Sequence, residues 1–317
     1  MKSLYILLLL IVCLSCKNNP SETSKETQSS NSEQQIDDTR KTATQSQGIV
    51  VYDSIDDLDI AYTNLKAIFD KNPSIGIVAE INHSLNARKV DVDLPTTKAI
   101  FFGNPNLGTS LMQVNPLTGL DLPQKVIYIQ DKNGKNQIIY NDVEYLNRRY
   151  ALENHKKLPV ISNTLKALIE RTSGSQNYQS IELEVSKHQG IVTKESNYNF
   201  ASTLDRLMTI LERKKGLKVI ATLDHQANAK KAGLELTPTY LVVFGNPKIG
   251  SPLMETQQSL ALDLPQKMLV WEDKTGQSFV SYNDIYFLKE RHQIDGHDRA
   301  FKKINTVLDK ISSEAVE

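Results

Sequence analysis

The chain has 317 residues, enough for about two domains, and 39% of them are hydrophobic, so it can bury a sizeable core. Its 37 Lys and Arg side chains balance 37 Asp and Glu side chains, and this neutrality argues against nucleic acid as a partner. Both cysteines, Cys13 and Cys16, lie in the leader, which excludes a disulfide, a thiolate metal site and a cysteine nucleophile from the folded part.

Residues 1–16 have the three parts of a secretory signal peptide. Lys2 precedes an apolar run over 4–12, which is shorter than the roughly 20 residues that a bilayer requires. The last four residues, Cys-Leu-Ser-Cys, resemble a bacterial lipobox, in which the final cysteine is acylated. We therefore predict a palmitate-type lipid anchor at Cys16 and a location in the bacterial cell envelope, at the outer membrane. The alternative is an ordinary cleaved signal peptide.

Residues 17–47 consist mostly of Ser, Thr, Gln, Asn, Glu and Lys. Such a segment cannot bury enough apolar surface to offset the entropy lost on ordering. We therefore predict a disordered tether between the anchor and the folded part.

The rest of the chain contains one sequence pattern twice. FGNPNLGTSLM recurs as FGNPKIGSPLM, and Gly245 lies 142 residues after Gly103. The same offset aligns two LDLPQK segments and two YND segments. Internal repetition of this kind indicates tandem domains. The predicted segments are a first repeat domain (48–172), a linker that is polar and irregular (173–188) and a second repeat domain (189–314).

Each copy is predicted to form a strand, a helix, four strands and a final helix. Apolar residues at helical spacing, such as Leu58, Leu65 and Phe69, predict that the first helix buries one face. The expected N-cap residues of this helix in the two copies are Ser54 or Asp56, and Ser196 or Asn197. Gly-Asn-Pro is interpreted as a tight turn that uses a positive φ at glycine.

A short helix is predicted over 226–232, and the first copy is expected to be less helical at the matching place. DKNG and DKTG each predict a β-hairpin between the last two strands. The order of elements indicates an α+β domain, with helices on a mostly antiparallel sheet.

The repeated GNPxxG(S/T)xLM, LDLPQK and YND motifs resemble the domain of unknown function 302 family. The second copy matches the family pattern closely, whereas the first departs from it at Asn82 and Tyr150. The resemblance implies a TATA-binding-protein-like β-α-β4-α fold in each copy. It also implies intramolecular packing of the two repeats, because single-copy members are dimeric. The family has no established activity.

Polar residues at matching positions of the two copies are candidates for ligand binding. A histidine after a strand can be a base or a ligand donor, and a carboxylate can orient it. Each candidate also has a structural interpretation, as a turn, a cap or a solvated strand end. We expect His225, Asn246, Asp263 and Lys267 to surround one concavity. The full set of candidates is His83, Asn104, Asp121, Lys125, His225, Asn246, Asp263 and Lys267.

The sequence favours a lipid-anchored module that binds a ligand or another protein. Its glycine-rich segments lack the lysine and hydroxyl of a P-loop, and no HExxH, GxSxG or CxxC motif stands out in the part that is predicted to fold. No metal or cofactor is therefore predicted. The main alternative is a hydrolytic or transfer enzyme that uses His225 and Asp263. A third interpretation is a purely structural scaffold.

Overall fold

The computed structural model describes residues 48–317. The predicted signal peptide, Cys16 and the tether lie outside the described residues. The described part contains two antiparallel sheets with helices packed on them, which confirms the α+β class and the two repeats.

The first repeat contains six strands and five α-helices. Its strands are β1 (Ile49–Asp53), β2 (Gly76–Asn82), β3 (Thr97–Gly103), β4 (Gln124–Gln130), β5 (Asn136–Asn141) and β6 (Tyr178–Ile181). Its helices are α1 (Leu58–Asp70), α2 (His83–Arg88), α3 (Pro105–Val114), α4 (Val143–Tyr150) and α5 (Leu158–Ser173), with a 3-10 turn over Pro116–Leu120.

The second repeat contains five strands and five α-helices. Its strands are β7 (Ile191–Glu195), β8 (Lys218–Asp224), β9 (Thr239–Gly245), β10 (Gln266–Glu272) and β11 (Ser278–Asn283). Its helices are α6 (Phe200–Arg213), α7 (His225–Lys231), α8 (Pro247–Thr256), α9 (Ile285–Arg291) and α10 (Asp298–Val316), with a 3-10 turn over Gln258–Leu262.

The two sheets have the same strand order apart from one added strand. The first is ordered β2-β3-β4-β5-β1-β6, and the second β8-β9-β10-β11-β7. The added strand, β6, pairs antiparallel with β1, and Tyr52 lies opposite Tyr178. The prediction that 173–188 is irregular was therefore wrong for these four residues, whose register on β1 is fixed by the ladder.

Helix caps differ in detail from those predicted. Asp57, not Ser54 or Asp56, caps α1, and Asn199, not Ser196 or Asn197, caps α6. The buried residues of α1 are Leu58, Ala61, Leu65 and Phe69, which lie on one face. Helix α2 forms in the first copy as well, because the Asn82 side chain accepts from the Leu85 backbone N–H at 2.8 Å.

The Gly-Asn-Pro segments begin helices instead of forming free turns. Asn104 caps α3 by accepting from the Asn106 N–H at 2.9 Å, and Pro105 occupies the first helical position. The predicted positive φ was wrong, since neither Gly103 nor Gly245 has one. A Cβ on Gly103 would lie 3.1 Å from the Pro123 Cβ, so glycine is needed there for close approach.

Each sheet has one face covered by its own long helices and another contacted by the other repeat. The turn over Pro116–Leu120 packs on β9, β10 and β11, and the turn over Gln258–Leu262 packs on β3, β4 and β5. Leu120 of the first copy joins Leu241, Val243 and Leu269 of the second in a small apolar cluster. The alternate residues of β9, such as Val242, point into the main core instead.

Candidate functional site

A buried ionic cluster surrounds Asp121 at the end of the first 3-10 turn. Arg149 Nη1 donates to Asp121 Oδ2 at 2.9 Å, and the Tyr150 hydroxyl donates to the same oxygen at 2.7 Å. Lys267 of the other copy donates to Asp121 Oδ1 at 2.9 Å. One carboxylate thus receives donors from both copies, away from water.

A matching cluster surrounds Asp263 in the second copy. Arg291 Nη1 donates to Asp263 Oδ2 at 2.8 Å, and His292 Nε2 lies 2.7 Å from the same oxygen. His292 stands where the first copy has Tyr150, and its other ring nitrogen lies 3.1 Å from the Ser259 hydroxyl. Tyrosine and histidine therefore fill the same structural role in the two copies.

The two arginines also connect the copies directly. Arg149 Nη2 donates to Asn283 Oδ1 at 3.0 Å, and Arg291 Nη2 donates to Asn141 Oδ1 at 2.7 Å. Each asparagine belongs to the YND motif of the other copy. The YND and LDLP motifs thus meet where the repeats touch.

Lys125 is buried at the same place but bonds differently from its counterpart Lys267. Its ammonium donates to the carbonyls of Leu264 at 2.9 Å and Ala261 at 3.3 Å. It also lies 4.2 Å from the centre of the Phe101 ring. Burial, reinforced by the charge of Lys267, lowers the pKa of Lys125 well below its ordinary value.

Four of the eight predicted ligand-binding residues are therefore buried where the repeats meet: Asp121, Lys125, Asp263 and Lys267. Asp121, Lys125 and Lys267 bond to the other copy, whereas Asp263 bonds to Arg291 and His292 of its own copy. Burial acts to raise the pKa of Asp121, but Lys267 and Arg149 outweigh it and hold the pKa at about 2. Sequence reasoning gave no role to Arg149 and Arg291. The available signal was their recurrence at the 142-residue offset, in step with the two LDLP aspartates.

A cavity of about 680 Å³ lies where the two copies meet, and it is called the larger cavity to distinguish it from a second one of about 110 Å³. The first copy contributes Asn104, Gln124 and most of the apolar wall, and the second contributes His225. Among the described residues, those lining this cavity include no Asp, Glu, Lys or Arg. The apolar wall includes Phe102, Leu107, Met112, Leu122, Ile161, Leu165, Leu168 and Leu223.

Two polar side chains in the wall of the larger cavity have buried atoms without a hydrogen-bond partner among residues 48–317. They are His225, at Nε2, and Gln124, at both Nε2 and Oε1. The His225 side chain belongs to a residue that is only 4% exposed, and Gln124 is 7% exposed. Buried polar groups are nearly always paired, so these atoms require an explanation.

The smaller cavity, of about 110 Å³, is lined by equivalent residues, but each comes from the opposite copy. His83 of the first copy lies in its wall with Asn246 and Gln266 of the second. The expected grouping of His225, Asn246, Asp263 and Lys267 around one concavity was therefore wrong. Each histidine faces the Gly-Asn-Pro segment of the other copy, because α2 packs against α8 and α3 against α7.

Both cavity histidines are neutral at physiological pH. Burial lowers the pKa of His225 to about 4, although a hydrogen bond with the Gly119 backbone opposes the shift. Burial and the charge of Lys125 lower the pKa of His83 to about 3. Each ring therefore presents an uncharged imidazole nitrogen to its cavity.

Residues 48–317 contain no group of three or more His, Cys, Asp or Glu side chains placed to hold a metal ion. Within the same range, no helix is long and apolar enough to cross a membrane.

The fold and these two cavities define a tandem-repeat α+β protein whose pockets are shared between the repeats. The sequence model described as "Domain of unknown function DUF302" matches residues 27–172 and 192–311. The chain belongs to this family, in two copies.

Similar curated proteins include two from Brucella. "Fluoride-specific ion channel FluC 1" of Brucella suis biovar 1 (strain 1330) is 41% identical over 105 residues, which cover 33% of this chain and 41% of that protein. "Fluoride-specific ion channel FluC 2" of Brucella melitensis biotype 1 is also 41% identical over 105 residues, and 38% of it is covered. The chain thus spans about two fifths of the length of these relatives.

A solved structure described as an uncharacterized conserved protein DUF302 from Bacillus stearothermophilus is also similar. It is 19% identical, with a TM-score of 0.34, and the match covers 40% of this chain and 96% of that one.

Proposed function

We propose that the protein binds a small, uncharged and mainly apolar molecule in the larger cavity. A volume of about 680 Å³ is within the range of about 300–1,000 Å³ that is typical of small-molecule sites. The wall is apolar apart from a few amide, hydroxyl and imidazole groups. A charged ligand would be buried there without a charged partner, at a large cost in free energy.

The observation that carries this proposal is the set of unpartnered atoms on His225 and Gln124. Leaving a buried polar group unpaired costs about 1–3 kcal/mol. A ligand with a hydrogen-bonding group would remove that cost, and its apolar body would cover the aliphatic wall. The two polar side chains come from different repeats, so binding depends on both copies.

The geometry does not favour the enzyme alternative. Asp263 bonds to Arg291 and His292, whereas His225 is hydrogen-bonded to the Gly119 backbone. The proposed pair of His225 and Asp263 therefore belongs to two different environments. Arg291 holds the Asp263 carboxylate in its ionised form, which suits an ion pair better than acid–base work.

Fluorescence with a matched pair of probes tests the proposal. N-phenyl-1-naphthylamine is uncharged and has one N–H donor, whereas 8-anilino-1-naphthalenesulfonate carries a negative charge on a similar body. We expect the purified full-length protein to bind the uncharged probe at least about tenfold more tightly, because the described residues of the cavity wall include no cation to pair with the sulfonate. Equal affinities, or no binding of the uncharged probe, would contradict the proposal.

We also propose that the protein is attached to the bacterial envelope by a lipid on Cys16. The support is the signal-like leader and its Cys-Leu-Ser-Cys ending. Labelled palmitate should enter the wild-type protein, and Cys16→Ala should prevent this and release the protein from the membrane fraction. Cys16→Ala protein that remains wholly with membranes, together with unlabelled wild type, would contradict it.

A further inference from the structure

The smaller cavity has its own set of buried polar atoms that find no hydrogen-bond partner in the described part of the chain. They are His83 Nε2, Ser251 Oγ and Gln266 Nε2. The three residues are 4%, 1% and 8% exposed, and all three line the cavity. Three side chains that line the same cavity thus have polar atoms that can still form hydrogen bonds.

Ser251 is the most informative of the three. A serine inside a helix commonly bonds back to the carbonyl four residues earlier. Two other hydroxyls on α3 and α8 do so, since Ser110 donates to the Asn106 carbonyl at 2.8 Å and Thr256 to the Pro252 carbonyl at 3.3 Å. The Ser251 hydroxyl has no such partner within the range 48–317 and belongs to a residue of the cavity wall. It is therefore available to a ligand.

The size and charge of the cavity restrict the ligand. About 110 Å³ is less than the roughly 150 Å³ of an engineered cavity that accepts benzene, so the occupant is at most about one small ring. The remaining wall is mainly aliphatic, with Leu217, Ile304 and Val307 among its residues. Lys303 is the one charged residue among the described residues of the wall, and it is exposed to solvent. An interior that holds only neutral polar groups selects an uncharged ligand.

A hydroxyl group fits the polar atoms better than other small groups. It donates and accepts, so it can pair with the neutral imidazole of His83 in either tautomer. It can also accept from the Gln266 amide N–H, and the Ser251 hydroxyl can rotate to meet it. We propose that the smaller cavity is a second binding site, which takes a small apolar molecule carrying a hydroxyl, such as a phenol or a short alcohol.

This second site is separate from the larger cavity. None of the described residues lines both cavities, and each cavity has its own methionine, Met254 in the smaller and Met112 in the larger. The proposal therefore does not depend on the ligand proposed for the larger cavity. The two methionine methyl groups also give each cavity its own reporter.

Phenol is the probe, and methionine-methyl NMR of the full-length protein is the measurement. The chain has five methionines, so signals can be assigned with Met254→Leu and Met112→Leu. We expect phenol to shift the Met254 methyl signal in a saturable way. Toluene, which has the same ring without the hydroxyl, should bind about tenfold more weakly, because it leaves the buried polar atoms unpaired.

Two variants test the polar contacts, and one serves as a matched control. Ser251→Ala and Gln266→Leu should each weaken phenol binding at Met254 by about tenfold. Gln124→Leu, the same change in the other cavity, should leave it unchanged. An unaltered Met268 signal checks that each variant is folded, and Ser251→Ala removes only one oxygen, so folding is expected.

Three results would overturn the second site: no shift at Met254, equal binding of toluene and phenol, or full affinity in both smaller-cavity variants. Failure of the naphthylamine probe with a positive phenol result would overturn the larger-cavity proposal alone. The reverse pattern would overturn the second site alone.

Discussion

The contribution of a single charged residue to stability depends on whether it is buried in the contact between the repeats or exposed at the surface. Arg148 and Arg149 are neighbours on α4, but Arg148 is exposed and pairs with Glu144, while Arg149 is fully buried against Asp121. A buried charge that loses its partner is costly, whereas an exposed pair contributes little. The position of an arginine relative to the contact between the repeats, and not its residue type, therefore decides how much its ion pair contributes to stability.

Arg149→Met is expected to lower the free energy of unfolding by about 3–5 kcal/mol, because Asp121 keeps only Lys267 and Tyr150. Arg148→Met, one residue away, should cost much less, because an exposed ion pair contributes little to stability. Urea unfolding measures both. Similar losses for the two variants would show that the buried cluster contributes no more than a surface pair.

The cavity histidines predict how stability changes with pH. The pKa of His225 is about 4 in the folded protein, against an ordinary 6.5. As pH falls below about 6.5, the unfolded chain takes up this proton and the folded protein does not, so stability is lost until about pH 4. A shift of this size corresponds to about 3 kcal/mol.

His225→Gln should therefore lose less stability between pH 7 and pH 4 than the wild type does. Urea unfolding at the two pH values gives the difference, and His155→Gln, at a histidine outside both cavities, is the control. An unchanged pH dependence in His225→Gln would mean that this histidine is not neutral in the folded state.

At the scale of elements, each copy opens with a glycine at a position where an added Cβ atom would clash with an aromatic ring. Gly190 has φ +69°, and a Cβ there would lie 2.1 Å from the Phe287 ring of α9. Gly48 has the same relation to Tyr145, at 2.7 Å. The glycine lets the first strand pass directly beside the helix that follows YND.

Gly190→Ala should destabilise the second repeat by about 2–5 kcal/mol, the sum of a left-handed backbone and an overpacked ring. Gly276→Ala is the matched control, since Gly276 has φ +87° and no atom of the described residues lies within 4 Å of the added Cβ. The control should cost only about 1–2 kcal/mol. Denaturant midpoints distinguish the two, and equal effects would contradict the steric explanation.

The helices and strands could be predicted from local sequence, but the contacts between elements of different copies could not. The helical spacing of Leu58, Leu65 and Phe69 is a local pattern, and α1 forms as expected. His225 and Asn104 are far apart in sequence and meet only because α7 packs against α3. No local periodicity records such a contact. The strand β6 was missed for a similar reason, since its polar residues, largely exposed, are ordered by pairing with β1.

At the scale of the whole molecule, the two repeats form one compact unit. Buried charged side chains join them, and the 3-10 turn of each repeat packs on the sheet of the other. The 142-residue offset revealed the repetition, and the repeated LDLP and YND motifs turned out to form the contact between copies. The motifs suggested a ligand-binding site because charged residues that recur in a pattern are typical of binding or catalytic sites. Their burial between repeats could be known only once both copies were placed together.

Separated halves should not be stable monomers. A half comprising 48–188 or 189–317 would expose its Arg149 or Arg291 cluster and the apolar face around Leu120 or Leu269. We expect each half to self-associate or unfold, and mixing the two to restore a one-to-one complex. Sedimentation and circular dichroism report this. Two stable, monomeric halves that ignore each other would contradict it.

The central claim is that the larger cavity joins polar groups of both repeats around an uncharged ligand. The most direct test is the affinity of N-phenyl-1-naphthylamine for two matched double variants. Gln124→Leu/His225→Phe, which alters one cavity across the two copies, should weaken binding about tenfold, while Gln266→Leu/His83→Phe should leave it unchanged. Equal affinities for both double variants and the wild type would contradict the claim.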